Sequence, residues 1–374
     1  MNPVSFDIVD PESVGVDPAR LDLFLRRARL EVDHGPLPSA QVAVAKDGKL
    51  VAFETFGDAR PDSRYILQSV GRTIVAGAIW KVIDDGLLSV DERVGDIIPE
   101  FATNGKEVVT VEQVLTHTAG FPFAPLGYPK MLDRELRLAA MSKWRLDYEP
   151  GSRLQYHLTG AAWVIAELVE RRTGLAFADY LRTKIVEPLG LGLILPVPAD
   201  RYEELVALPY AFDRTSDDQE VDPWGPWYLA NADVLAGGEP SHSIVGTAAD
   251  VAMFLQALVH SGLWSPRIVE EGTRVHVCEA PAGDQLYGGS NRRTSIGLFL
   301  TVCGEDRGAW LPSTGSDATF GNGGAPCQMG YMDPEAGTSF AFLTNGYPIS
   351  GYDYSRRGTN RITNIANLGN DLVP

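Results

Sequence analysis

The chain has 374 residues, 44% of them hydrophobic and 22% charged, which is the composition of a globular protein long enough to bury a sizeable core. Its 49 acidic residues against 32 basic ones give a formal net charge of −17, and this argues against a nucleic-acid partner, which needs a basic face. Three cysteines without a Cys-x-x-Cys spacing suggest neither a disulfide framework nor a zinc site, so no metal or other cofactor is expected.

The sequence also contains no signal for export or membrane insertion. The first residues, Met1 to Asp7, have neither a basic segment nor an apolar one, and no apolar run elsewhere approaches roughly eighteen residues. We therefore expect a soluble cytoplasmic protein without a membrane partner. Since no linker, repeat or low-complexity tract interrupts the chain, residues 1–374 are expected to form a single domain.

The N-terminal part begins with strands and then changes to a helical pattern. Alternating residues at 41–45 and 50–54 flank the turn Lys46-Asp47-Gly48-Lys49, and Asp-Gly between such runs predicts a β-hairpin. After Ser69, apolar residues recur with helical spacing until Gly86. Ser69 is thus predicted to lie where a loop enters a long buried helix.

The rest of the chain reads as helices followed by strands. Helices are predicted at 111–117, 159–173, 176–185 and 248–261, and strands at 295–302, 328–332 and 339–344. This order predicts an α/β (α+β) fold. Its sheet would be built from N- and C-terminal segments, about 10–65 and 290–350, and a mostly helical region, about 69–285, would be inserted between them. A cleft is expected where the two regions meet.

Seven short motifs give this pattern a family context. They are Tyr65 to Thr73 (YILQSVGRT), Leu115 to Gly120 (LTHTAG), Pro150 to Tyr156 (PGSRLQY), Pro188 to Leu191 (PLGL), Gly246 to Val251 (GTAADV), Gly321 to Gly324 (GNGG) and Leu343 to Gly346 (LTNG). In this order they resemble the class C β-lactamase and D,D-peptidase superfamily, which includes many esterases, over roughly residues 10–350. The resemblance implies a β-lactamase/transpeptidase-like fold with an antiparallel sheet flanked by helices.

The resemblance also implies a set of site residues, and this chain departs from part of it. Relatives carry Ser-x-x-Lys, Tyr-x-Asn and a Lys- or His-x-Gly on an edge strand. Ser69 and Tyr156 match, but Arg72 replaces the lysine, Leu158 the asparagine and Asn322 the lysine or histidine.

These departures change the expected chemistry. A guanidinium does not release its proton, so Arg72 cannot be the general base that a lysine amine provides. It could instead favour the anionic form of Tyr156, which leaves Tyr156 as the base candidate, with His157 as a second. Because an oxyanion hole uses backbone amides, the N–H groups of Ser69 and Ala325 could still stabilise the reacting oxygen.

Further residues are expected to line the cleft and contact substrate; they are Asn322, Gly323, Gly324, Ala325, His157, His242, Trp224 and Trp227. The two tryptophans stand in the segment Pro223 to Tyr228, which reads as a wall or lid loop and favours an aromatic or apolar small-molecule substrate.

Each of these residues also has a purely structural explanation. Ser69 could be a helix N-cap, Tyr156 a core tyrosine and 321–324 a tight turn between strands. Arg72 could pair with an acid such as Asp250 or with a backbone carbonyl. His117 is expected to be structural, held in the turn beside Gly120.

Three functions remain open from the sequence. The first is a serine-dependent esterase or amidase acting on a small cytoplasmic metabolite, with little β-lactamase turnover. The second is an enzyme that keeps the cleft but forms no acyl-enzyme, for example in natural-product biosynthesis, and the third is a non-catalytic ligand binder. Hydrolase-elbow, zinc-protease and nucleotide-binding motifs are missing from the sequence, and nothing in it indicates an oligomeric state.

Overall fold

The computed structural model describes residues 4–211, 225–279, 293–305, 307, 311–325, 327–347 and 359–374. The strands in this part of the chain are β1 (Ser39–Lys46), β2 (Lys49–Gly57), β3 (Tyr65–Ile66), β4 (Val245–Gly246), β5 (Val277–Glu279), β6 (Thr294–Ile296), β7 (Thr301–Val302), β8 (Phe320–Gly324), β9 (Gln328–Asp333) and β10 (Thr338–Thr344). Eight of them form one sheet in the order β2-β1-β10-β9-β8-β7-β6-β5, in which all neighbours are antiparallel. The expected sheet of N- and C-terminal segments is confirmed.

Helices fill most of the chain between β3 and β5 and also flank the sheet. The α-helices are α1 (Pro18–Asp33), α2 (Arg72–Asp84), α3 (Val94–Ile97), α4 (Val111–Leu115), α5 (Arg134–Met141), α6 (Gly160–Thr173), α7 (Phe177–Leu181), α8 (Glu187–Leu189), α9 (Pro226–Leu229), α10 (Ala232–Ala236), α11 (Ala248–His260), α12 (Pro266–Thr273) and α13 (Thr359–Gly369). Short 3₁₀ segments cover Pro11–Val14, Gln68–Gly71, Pro99–Phe101, Lys106–Val108, Lys130–Leu132 and Ala199–Glu204, and a π-helical turn, Arg182–Val186, joins α7 to α8.

The β1–β2 hairpin forms as its turn residues predict. Asp47 and Gly48 both have positive φ, at 50° and 79°, and Lys46 pairs with Lys49 across the turn. Two left-handed residues in a two-residue loop match the right-handed twist of the strands, which is why Asp-Gly is favoured there. The hairpin places β1 in the interior of the sheet, beside β10.

The helix that follows Ser69 is buried on nearly all its faces. Helix α2 packs against α6 and α12, and a Cβ at Gly77 would lie 2.7 Å from the Phe254 ring of α11. The indole N–H of Trp264 donates to the Gly77 carbonyl at 2.8 Å. A glycine at this position therefore lets α11 approach the helix that carries the start of the site.

One predicted strand is divided in two. The pattern at 295–302 predicts a continuous strand, but β6 and β7 are separated by a tight turn in which Gly297 N–H donates to the Leu300 carbonyl at 3.0 Å. Phe299 in that turn has φ 69°. A run of alternating apolar residues is equally compatible with a strand and with a turn whose side chains are buried. Here the turn brings Phe299 against the site described below. Within the described residues, no helix combines the length and apolar character that crossing a bilayer requires.

Candidate active site

Ser69 lies in the 3₁₀ turn Gln68–Gly71 that leads directly into α2. The turn is anchored from behind because Leu67 N–H donates to the Ile244 carbonyl at 2.9 Å. Gln68 has φ 53°, a left-handed conformation that costs a side-chain-bearing residue free energy and that is common at functional turns. The prediction that Ser69 sits at the start of a long buried helix is confirmed, and its side chain is half-buried.

Tyr156 reaches the serine from the loop before α6. Its hydroxyl donates to Ser69 Oγ at 3.1 Å, although the two residues are 87 positions apart. This distance is within the reach that proton transfer between a nucleophile and its base requires. The structure thus brings together the two residues that match the family motifs.

Arg72 is buried beneath this pair, with 3% of its surface exposed. Its guanidinium carbon lies 4.4 Å from the centre of the Tyr156 ring and 5.4 Å from that of Phe299. One terminal nitrogen donates to the His157 carbonyl at 3.2 Å and the other to the Leu158 carbonyl.

The partners of Arg72 agree with the carbonyl alternative foreseen from the sequence. Asp250 is engaged elsewhere: it accepts from Gly192 N–H at 2.6 Å and lies 3.8 Å from Arg64. Arg72 is therefore a cation placed under the face of the phenol ring, where the ring's negative π-face attracts it.

His157 does not line the cleft, which corrects the expectation that it contacts substrate or acts as a base. Its ring is fully buried, Nε2 accepts from Phe121 N–H at 3.1 Å, and Nδ1 lies 2.7 Å from the Gln155 carbonyl. Nδ1 must be the protonated nitrogen because its partner can only accept. Burial, with a smaller contribution from Arg72, lowers the pKa of His157 to about 3.

His117 has the structural role expected of it. Its Nδ1 accepts from His157 N–H at 3.2 Å, and its ring lies 4.8 Å from that of Tyr156. Burial, followed by the charge of Arg72, holds the pKa of His117 well below its usual value. Two neutral histidines therefore form the wall behind Tyr156.

Strand β8 closes the other side of the nucleophile turn. A Cβ at Gly324 would lie 3.2 Å from Ser69 N and 3.1 Å from Val70 N, closer than most Cβ contacts in proteins. Glycine at this position lets the strand come close to the Ser69 amide. First-turn amides of a helix have no acceptor within the helix and can hold a developing negative charge. The Ala325 amide, which follows β8, stays a predicted second donor.

Asn322 on β8 ties the sheet to the helix. Its Nδ2 donates to Thr73 Oγ1 at 3.2 Å and its Oδ1 accepts from Thr301 Oγ1 at 3.0 Å, with 9% of the residue exposed. One hydrogen of Nδ2 and one lone pair of Oδ1 are committed to protein partners, and substrate contact by Asn322 through its remaining capacity stays a prediction. Contact by Gly323 likewise stays a prediction.

The remaining predicted residues differ in what the structure says of them. Trp224 lies outside the described residues. Trp227 is 61% exposed and its ring meets that of Tyr128 edge to face at 6.3 Å. His242 is buried and its Nδ1 lies 2.8 Å from the carboxylate of Glu239. Substrate contact by His242 and Trp227 stays a prediction.

Sequence reasoning missed Glu239, Gln68 and Phe299. Glu239 is fully buried, and its spacing of three residues from His242 is the one signal that could have marked it. Neither the left-handed conformation of Gln68 nor the approach of Phe299 to Arg72 has a local sequence signature.

Comparison with known proteins agrees with this fold. The sequence profile of the β-lactamase family matches residues 26–362. The chain is 30% identical to esterase EstB of Burkholderia gladioli, and the alignment covers 90% of this chain and 93% of EstB. It is 29% identical to penicillin-binding protein 4 of Amycolatopsis lactamdurans, and that alignment covers 83% of this chain and 81% of the relative. A penicillin-binding protein homologue from Caulobacter crescentus superposes with a TM-score of 0.78 at 24% identity, covering 95% of this chain and 99% of that one. With a family match over most of its length and this fold, the chain belongs to the β-lactamase family.

Proposed function

We propose that this chain is a serine-dependent acyl-transfer enzyme of the esterase or amidase type that acts on a small cytoplasmic metabolite. The observation that carries the proposal is the 3.1 Å contact between Ser69 Oγ and Tyr156 Oη at the start of a buried helix. EstB, a relative at 30% identity, is named an esterase, which supports the same reaction class here. The fold alone would not support a reaction class, because one fold hosts many functions.

In the proposed reaction, the phenolate form of Tyr156 accepts the proton of Ser69 Oγ while that oxygen forms a bond to the acyl carbon of the substrate. The carbonyl π electrons move to the oxygen, which the N–H groups of Ser69 and Ala325 stabilise. The tetrahedral intermediate then collapses, the bond to the leaving oxygen or nitrogen breaks, and Tyr156 returns the proton to the leaving group. Water or an acceptor alcohol reverses these steps and frees Ser69.

Arg72 supports this scheme electrostatically without taking part in proton transfer. A lysine at this position could accept a proton, whereas a guanidinium stays charged throughout. This fixed cation lies 4.4 Å from the ring centre of Tyr156, the residue that accepts the serine proton in the proposed scheme.

A second candidate is a family member that binds or transforms its ligand without forming an acyl-enzyme, for instance in natural-product biosynthesis, or that only binds it. The observation that favours it is that the guanidinium of Arg72, held by the His157 and Leu158 carbonyls, stands where relatives carry a lysine amine. We expect little β-lactam turnover in either case because the third motif offers the neutral amide of Asn322, tied to Thr73 and Thr301, instead of a charged group.

The test is intact-protein mass after reaction with a fluorophosphonate, in which a nucleophilic oxygen bonds to phosphorus and fluoride leaves. Wild type is compared with Ser69→Ala and Arg72→Lys, and Ser152→Ala, which removes an exposed serine, is the matched control. A single adduct in wild type and Ser152→Ala, absent in Ser69→Ala, is the expected result. Hydrolysis of p-nitrophenyl esters should follow the same pattern.

The other outcomes separate the candidates. An adduct that forms only in Arg72→Lys would mean that the arginine prevents Ser69 from reacting as a nucleophile, and it would favour the second candidate. An adduct that persists in Ser69→Ala, or no adduct in any variant, would overturn the proposal. Rapid nitrocefin hydrolysis that depends on Ser69 would overturn the expectation of little β-lactam turnover.

A further inference from the structure

The segment that precedes Ser69 runs beside the segment that contains His242. Strands β3 and β4 pair Tyr65 with Gly246 and Ile66 with Val245, and the hydrogen bond from Leu67 N–H to the Ile244 carbonyl extends this pairing by one residue. Beyond Leu67 the chain enters the 3₁₀ turn Gln68–Gly71, so the strand pairing ends just before the turn that carries Ser69.

A second contact places the His242 segment beside the nucleophile turn. A Cβ at Gly71 would lie 3.5 Å from the Ile244 side chain, so this segment packs against the start of α2. His242 is two residues before Ile244 and therefore borders the turn that carries Ser69.

His242 is held by a carboxylate with no exposed surface. Glu239 accepts from His242 Nδ1 at 2.8 Å, from the backbone N–H groups of Ser241 and His242 at 3.0 and 2.9 Å, and from the Ser241 hydroxyl. Four donors directed at one carboxylate favour its ionised form. Because an ionised carboxylate can only accept, the hydrogen lies on Nδ1.

The other ring nitrogen of His242 is not used by the residues that the structure describes. His242 Nε2 is buried and, in the described part of the chain, has no hydrogen-bond partner. Gln68 Nε2 in the nucleophile turn and Ser243 Oγ are likewise buried without a partner there. Burying a polar atom without a partner is unfavourable, so such a group in the segment that packs against the nucleophile turn points to a ligand that completes it.

We propose that His242 determines substrate specificity at the acyl site, with its Nε2 accepting a hydrogen bond from a hydroxyl of the substrate bound at Ser69. Glu239 is the positioning residue, because it fixes the tautomer that leaves Nε2 as an acceptor. The inference rests on the proposed function for the identity of the site and adds a substrate feature to it: a hydrogen-bond donor close to the reacting carbonyl.

The first arm of the test is kinetic. We compare kcat/KM for p-nitrophenyl 3-hydroxybutyrate and p-nitrophenyl butyrate, which differ in one hydroxyl. The ratio of the two values should fall about 3- to 10-fold in His242→Phe, which keeps a ring but lacks Nε2. Glu239→Gln should also lower the ratio, because its amide can present either end to Nδ1. His260→Phe, which changes an exposed histidine on α11, should leave the ratio unchanged.

The second arm does not need turnover. Long-range ¹H–¹⁵N spectra of histidine-labelled protein, with His242 assigned by the His242→Phe variant, are recorded with 3-hydroxybutyramide and with butyramide. The expected result is an Nδ1-protonated ring whose Nε2 resonance shifts only with the hydroxyl-bearing amide.

The two arms distinguish the inference from the function on which it rests. Absence of Ser69-dependent ester hydrolysis together with the selective Nε2 shift would overturn the acyl-transfer function and keep the binding role of His242. Ester hydrolysis with an unchanged ratio in His242→Phe would overturn the specificity role. A doubly protonated ring, or an Nε2 resonance that ignores both amides because only water satisfies it, would also overturn the inference.

Discussion

The guanidinium carbon of Arg72 lies 4.4 Å from the centre of the Tyr156 ring, while the Tyr156 hydroxyl lies 3.1 Å from Ser69 Oγ. The ring is thus held by its face and the hydroxyl is directed at the serine. The contact with Arg72 therefore holds the ring of Tyr156 in place, while the hydroxyl makes the contact with Ser69 that the proposed reaction uses. The two functions can therefore be removed one at a time.

Tyr156→Phe removes the hydroxyl and keeps the ring over Arg72. Loss of general-base assistance typically costs 10²- to 10⁴-fold, so the rate of p-nitrophenyl ester hydrolysis should fall by about that factor. The free energy of unfolding, measured with urea, should change by no more than about 1 kcal/mol, since one hydrogen bond is lost. A variant that retains wild-type rates would show that another group accepts the serine proton.

Arg72→Met leaves the His157 and Leu158 carbonyls without their donor. Leaving the buried His157 carbonyl unsatisfied costs about 1–3 kcal/mol, and losing the bond to the part-buried Leu158 carbonyl costs about 1 kcal/mol more, so urea unfolding should show a loss of about 2–4 kcal/mol. Arg26→Met is the control, because that side chain is 67% exposed and should change stability by less than about 0.5 kcal/mol. Equal stability of the two variants would mean that the carbonyl contacts of Arg72 contribute little.

Gly324→Ala should impair activity more than stability. The added methyl group would stand 3.2 Å from Ser69 N and 3.1 Å from Val70 N, so either β8 or the nucleophile turn must move. Misplacing an oxyanion donor costs about 10²-fold or more in kcat. Gly127→Ala adds a methyl group with nothing within 4 Å and should leave the rate of ester hydrolysis unchanged in the same assay. Matching rates in both variants would argue against a role of the β8 approach in the reaction.

The buried histidines make the fold sensitive to acid. Below about pH 6.5, the unfolded chain binds a proton at His157, whereas the folded chain does not until the pH approaches the lowered pKa of about 3. The unfolded state therefore holds more protons in this window, and stability must fall as the pH falls. His117, whose pKa is also lowered, acts in the same direction.

Each of these two histidines contributes a slope of up to about 1.4 kcal/mol per pH unit, which urea unfolding between pH 7 and pH 4 can measure. His157→Gln keeps a donor and an acceptor but does not titrate, so its stability should decline less steeply than that of wild type. The stability of His34→Gln, which replaces an exposed histidine, should decline with falling pH as steeply as that of wild type. Parallel curves for wild type and His157→Gln would contradict the assignment of acid sensitivity to this ring.

Local features of the fold could be predicted from the sequence because they depend on neighbouring residues. The Asp47-Gly48 turn fixes the first hairpin, and Gly174 ends α6 in the left-handed conformation. The prediction of one continuous strand at 295–302 was wrong because the alternation of apolar residues alone cannot distinguish one strand from two short strands around a buried turn. Of the site, Ser69 and Tyr156 were identified by motifs whose order matches the family.

The sequence by itself determined the hairpin, the buried helix that Ser69 begins and the loss of a lysine base at Arg72, since turn chemistry, apolar periodicity and side-chain type are properties of the local chain. Only the tertiary structure decided where the polar groups point: Arg72 to two carbonyls, His157 to the backbone, Glu239 to His242. A buried polar side chain must pair with whatever donor or acceptor packing brings within about 3 Å, and that partner is fixed by the folded arrangement of distant segments.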